Sequence, residues 1–148
     1  MDIFKQFRRD EDRIVSGAKF YLDKANDVWI KVARMHESNP VFKKAGQAKA
    51  EFHQAELERL KDNKEAHTEF LNKLGAETMA DVLITGWNNL EMNGEPFAYS
   101  VDNAHLIRTE LPELFEQLTQ FALNPKNYVG SFNEEESLKN SQTASLSA

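Results

Sequence analysis

Four histidines, His36, His53, His67 and His105, are the residues from which catalysis or metal binding would most readily be built. They fall into no HExxH, ExxH or HxH arrangement, so no local motif offers a ready pair of metal ligands. His53 and His67 lie fourteen residues apart, about 21 Å along one helix, and share an ion only if the chain folds back between them. Asp102 and His105, three apart, can orient one another, which leaves a surface or part-buried role as the plainer reading. Cysteine is absent, which removes thiol catalysis, CxxC redox chemistry, iron–sulfur ligation and zinc fingers. No two of the six glycines are closer than eight residues, so GxGxxG, Walker and GxSxG loops are excluded. Glu51, Glu56, Glu58, Glu65 and Glu69 alternate with Lys49, Arg59, Lys61, Lys64 and Lys73, the composition of a solvated helix face rather than a carboxylate metal site. No nucleophile, base and orienting group assemble from these spacings, so the expectation is a protein without enzymatic activity, cofactor or metal.

The chain that would position such groups has 148 residues, 18 Lys+Arg and 24 Asp+Glu, for a net charge of −6. That length suits one domain, and such a chain buries roughly 70% of its unfolded surface without help from a disulfide or metal. The acidic balance argues against broad binding to a phosphate backbone, since Lys43-Lys44 and Arg8-Arg9 are the only basic pairs of note. Met1 to Arg13 lacks the apolar core of a secretory signal, and the most apolar stretch, Met79 to Ile84, is far shorter than a membrane span. The expectation is a soluble cytoplasmic protein with no membrane partner.

Two alternating runs, Ala18-Phe20-Leu22 and Val28-Ile30-Val32, flank the turn residues Asp23 to Asp27 and predict a β-hairpin with a five-residue connection. Asn39-Pro40 then predicts a helix start, with Asn39 as cap. Val41, Phe42, Ala45, Ala48, Phe52 and Ala55 follow at three- and four-residue steps as one alanine-rich stripe that a neighbouring element can approach closely. The stripe fades at Lys61 to Lys64, where Asp62 and Glu65 have the form of a capping box, and Phe70, Leu71 and Leu74 restart an apolar face. Two helices, or one with a break, are expected here. Gly75 is read as a C-cap, with a further short helix over Glu77 to Ile84 closed by Thr85-Gly86-Trp87. Met92-Asn93-Gly94-Glu95 predicts a second tight hairpin, Ser100 caps another helix, and Leu111-Pro112 separates it from a last amphipathic helix ending at Leu123. The fold class is therefore α+β, mainly helical, with the N-terminal hairpin packed on about five helices. Residues 1–130 read as one compact domain and 131–148 as a flexible acidic and Ser-rich tail.

The run from Gly86 through Trp87 and Asn93-Gly94-Glu95-Pro96 to Ser100, then Asn103-Ala104, Leu106-Ile107, Leu111-Pro112-Glu113-Leu114 and Asn127-Tyr128, resembles the C-terminal half of tail assembly chaperones of long-tailed bacteriophages. Those proteins tend to show a Trp after a helix, a short turn with glycine, a Pro-x-x-x-Ser helix start and a closing Asn-aromatic pair. The N-terminal half is similar in outline, with Val28-Trp29-Ile30 on a hairpin, Asn39-Pro40-Val41-Phe42 opening long helices, and Met79-Ala80 before the Trp. The likeness spans about Ile14 to Tyr128 and rests on the order and spacing of the pieces. In bare physical terms Trp87 would cap the core under the Asn93-Gly94 turn and Ser100 would cap the following helix.

The resemblance implies a non-enzymatic assembly factor that binds the tape measure protein and keeps it soluble in the cytoplasm of the infected host, and that is absent from the mature virion. It also implies contact with the tail tube protein through a frameshifted extension. The charge from Lys49 to Glu69 leaves little contiguous apolar surface there, which directs attention to self-association along Val41, Ala45, Ala48 and Phe52. With Trp87, these are the candidate partner-binding residues, and a homo-oligomer is expected. Two rival readings are an acidic phage regulatory protein that occupies a site on a host enzyme, and a structural virion component such as a head–tail connector. Interleaved Glu and Lys weaken the first, because a nucleic-acid mimic needs one-signed rows of carboxylates.

Overall fold

The computed structural model describes residues 1–130, and the proposed tail over 131–148 lies outside them. Two short helices, α1 (Ile3–Phe7) and α2 (Glu11–Ser16), lead into a hairpin of β1 (Ala18–Asp23) and β2 (Val28–Val32). The four-residue connection folds back on Asp23, whose carboxylate accepts from the Asn26 amide and side chain. Then come α3 (Pro40–Phe52), α4 (Gln54–Arg59), α5 (Lys64–Val82) and β3 (Ile84–Asn88). The small hairpin β4 (Glu91–Met92) and β5 (Glu95–Pro96) follows, turning through Asn93 and Gly94 at φ of 54° and 80°, the left-handed pair that a two-residue hairpin favours. Helices α6 (Val101–Glu110) and α7 (Pro112–Leu123) and a 3₁₀ turn, Pro125–Tyr128, complete the described chain. The mainly helical α+β class and both hairpins are present.

A third strand corrects the expected turn at Thr85-Gly86-Trp87. β3 pairs antiparallel with β2, placing Trp87 opposite Ile30 and Ile84 opposite Val32, in the order β1-β2-β3. Ile84, Thr85 and Trp87 are β-branched or aromatic and fit a pleated surface better than a helix end. One sheet face presents Ala18, Phe20, Ile30 and Val32 to α7, where Phe20 meets Phe121 edge-on at 5.5 Å. Ile14, Leu83, Ile107, Leu118 and Tyr128 close this core. On the opposite face the ammonium groups of Lys19 and Lys31 lie 4.8 and 5.7 Å from the Trp29 ring.

Gly75 does not end a helix. Helix α5 runs through it to Val82, absorbing the separate helix expected over Glu77 to Ile84. Tertiary packing of Leu74, Thr78 and Ala80, all buried, overrides the local glycine signal. A Cβ at Gly75 would meet nothing within 4 Å. Gly75→Ala should therefore stabilise the protein by about 0.5–1 kcal/mol in urea denaturation, whereas a true left-handed cap would lose stability on the same change. The cap at the start of α5 is Asn63, which accepts from the Ala66 amide, rather than Asp62. His53 interrupts the segment before it, so α3 and α4 stand where a single helix was expected ahead of the break at Lys61 to Lys64.

The ends of the described chain are fastened together. The Asp10 amide donates to the Tyr128 carbonyl at 2.8 Å and the Gly130 amide to the Arg8 carbonyl at 2.7 Å. Arg13 donates to the carbonyls of Asn127 (3.2 Å) and Gly130 (2.6 Å), and its Nε to Asp10 at 2.8 Å. Partial burial raises the Asp10 carboxyl, but the hydrogen bonds and charge of Arg13 outweigh it and hold Asp10 below its ordinary value. Gly130 sits at φ of 63°, and a Cβ there would run into the Gln6 carbonyl oxygen. The close approach of the two ends thus depends on that glycine.

Candidate partner-binding surface

Helix α3 begins where Asn39 forces it to. Its Oδ1 accepts from the Val41 amide at 3.0 Å, and its Nδ2 donates to the carbonyls of Ile14 and Arg34, both at 3.0 Å. One buried side chain therefore caps α3 and ties it to α2 and to the segment leaving β2. The far side of α3 rests on α5, where Lys49 reaches Asp81 at 2.9 Å and Glu77 at 3.7 Å, and Gly46 lies against Thr78. At the distal end His53 stacks edge-on between Phe52 (4.9 Å) and Phe70 (5.6 Å).

These contacts turn α3 away from the orientation expected from its apolar stripe. Phe42, Gly46, Lys49 and His53 face inward, with Ala45 and Ala50 partly covered beside them, so the alanine-rich stripe carries only part of the packing. Of the candidates, Ala45 is half-buried, Ala48 is exposed, Val41 is 48% exposed and Phe52 is 84% exposed. None of α3 is fully buried. The physical reason is the Lys49 ion pair and the close approach at Gly46, which fix the rotation of α3 more strongly than a row of alanines can. Leaving Phe52 in water forgoes about 1.5–3 kcal/mol that a covering partner would recover. An isolated exposed apolar residue is ordinary, but three exposed ones, Val41, Ala48 and Phe52, at seam spacing on one helix form a surface.

Trp87 stands apart from that seam, on β3. Its indole Nε1 donates to the Phe97 carbonyl at 2.6 Å, and its ring meets Phe97 and Tyr99 edge-on, each at 5.2 Å. Tyr99 in turn donates to the Ile84 carbonyl at 3.2 Å. Trp87 thereby pins the segment after the second hairpin to the sheet, and the structure brings the other four candidates together without it. Ser100 caps α6 by accepting from the Asn103 amide.

The seam is flanked by charge. Lys43 and Lys44 are exposed near the start of α3 and Glu51 near its end. Further on, the Arg59 hydrogen bond lowers the Glu56 carboxyl and Glu56 raises the Arg59 guanidinium, a solvated pair within one turn. His105 Nε2 lies 3.7 Å from Asp81, not on Asp102, and makes no hydrogen bond. Among the described residues no three His, Asp or Glu side chains gather as a metal site, and no helix is long and apolar enough to cross a membrane.

Residues 38–140, more than half of the chain, match the family described as YdaY prophage protein. The chain belongs to this prophage family. The matched stretch opens at the residues that cap α3 and takes in the whole α3–α5 unit, β3, the second hairpin, α6 and α7. Neither the curated proteins nor the solved structures yield a match. Residues Val41 to Phe52 thus lie inside the matched stretch, and the β1–β2 hairpin lies outside it.

Proposed function

We propose that this prophage protein is a non-enzymatic tail assembly chaperone that binds the tape measure protein and keeps it soluble during tail morphogenesis, in the cytoplasm of the infected host. The observation that carries this reading is the row of exposed Val41, Ala48 and Phe52, with half-buried Ala45 among them, on a helix whose orientation is fixed by Lys49, Asp81 and Glu77. A rigid helix with a narrow, small-residue apolar face suits helix-in-groove packing against another helix, the mode by which a long amphipathic client would be shielded. No cofactor takes part, and the client dissociates before the virion is complete.

Co-expression with the tape measure protein encoded in the same prophage tests the reading. The client should remain soluble and co-purify, and Phe52→Ser should cut its recovery while leaving this chain folded. A client that precipitates while this chain stays soluble would overturn the proposal.

A further inference from the structure

We infer that α3 pairs antiparallel with the α3 of a second copy, Ala45 of each chain packing on Ala48 of the other and Phe52 on Val41. The inference concerns the free protein and holds whether or not a tape measure protein is the client.

Steps of four, three and four residues from Val41 to Phe52 are those of a heptad seam, with Val41 and Ala48 at one core position and Ala45 and Phe52 at the other. Read in the opposite direction the series Val-Ala-Ala-Phe complements itself. Two central layers of alanine on alanine bring the helices close, and two outer layers each set a phenylalanine beside a valine. In the free chain Val41 and Phe52 stay 48% and 84% exposed, so these outer layers are where pairing removes apolar surface from water.

Charge selects the direction and register. The outer flank of the seam carries Lys44 and, seven residues on, Glu51, both exposed and neither ion-paired among the described residues. In the antiparallel register above, Lys44 lies beside Glu51 of the second copy, and the two-fold axis repeats the pair. Sliding by one heptad sets Lys44 against Lys44 of the second copy in one sense, and Glu51 against Glu51 of the second copy in the other. A parallel pairing sets Lys44 against Lys49 of the second copy and leaves Glu51 without a basic partner on the second α3. Of these four arrangements only one matches opposite charges, and like charges across a seam disfavour the rest. With α5 held behind each α3 through Lys49, the assembly is a four-helix arrangement that closes on itself and leaves no open end.

Sedimentation velocity on the purified full chain across a concentration series provides the test. The seam is about two heptads long, so the mass should rise from that of a monomer towards twice that value as concentration increases. Phe52→Ser should keep the circular dichroism spectrum and remain monomeric throughout. Lys44→Glu and Glu51→Lys should each weaken association roughly tenfold, and the double reversal should restore it. A chain that stays monomeric, or a dimer indifferent to Phe52→Ser, would overturn the proposal. So would Lys44→Glu tightening the dimer, because that reversal relieves the parallel pairing against Lys49 of the second copy.

Discussion

Asn39→Ala should lower unfolding stability by about 3 kcal/mol, near 10 °C in melting temperature for a chain of this size. The side chain is 1% exposed and makes three hydrogen bonds, one that caps α3 and two that reach the carbonyls of Ile14 and Arg34. Loss of the cap accounts for about 1 kcal/mol. Loss of the two donated bonds accounts for the remainder, and the cost is contained because the Ile14 carbonyl keeps a second donor in the Arg34 amide. Asn39→Asp separates the two contributions. It keeps an oxygen for the Val41 amide but turns a carboxylate oxygen towards two carbonyls, so the aspartate variant should be at least as unstable as the alanine one. Were the cap all that mattered, aspartate would be tolerated, and thermal melts of the two variants decide between these outcomes.

Tyr128→Ala should cost about 4 kcal/mol, and Tyr128→Phe about 1–2 kcal/mol. The ring is 0% exposed, lies 6.2 Å from Phe121 in an edge-on arrangement, and donates its hydroxyl to the Val32 carbonyl at 2.8 Å. Burial raises the phenol well above its ordinary value, which keeps it a neutral donor throughout the usable pH range. The phenylalanine variant removes only the donor and leaves the Val32 carbonyl unpaired at that position. The alanine variant also opens a cavity beside Phe121. Urea denaturation of both should give the stated order, and equal losses would mean that the ring contributes nothing beyond its hydroxyl.

Helix starts were the most legible part of the sequence. Asn39-Pro40, Ser100 and Leu111-Pro112 act through backbone chemistry within three residues, and each falls where expected. The Asn93-Gly94 turn is local in the same sense. Gly75 failed because packing of Leu74 and Thr78 carries α5 past a residue that, judged locally, ends helices. β3 was hidden because a five-residue strand beside a helix gains its identity only from β2. Of the candidate residues, Val41, Ala45, Ala48 and Phe52 lie along one side of α3 as their spacing indicates, while Trp87 sits apart from them on β3. Val41, Ala45, Ala48 and Phe52 do form one seam, but the Lys49 bridge to Asp81, 32 residues away, turns that seam outward, and no periodicity within α3 records such a contact. Helices α1 and α2 owe their placement to partners near Tyr128, beyond the reach of local pattern.

The fastening of residues 8–13 to 127–130 also sets a schedule for biogenesis. Arg13 and Gly130 are separated by 117 positions, and Tyr128 and Val32 by 96, so these bonds close only after almost all of the described chain has left the ribosome. Until then Ile14 and the hairpin beside it have no Tyr128 to complete their enclosure, and the nascent chain waits with an apolar surface open. Chains interrupted before Tyr128 should accumulate as protease-sensitive fragments rather than as smaller folded proteins, which makes the completeness of translation a quality check built into the fold.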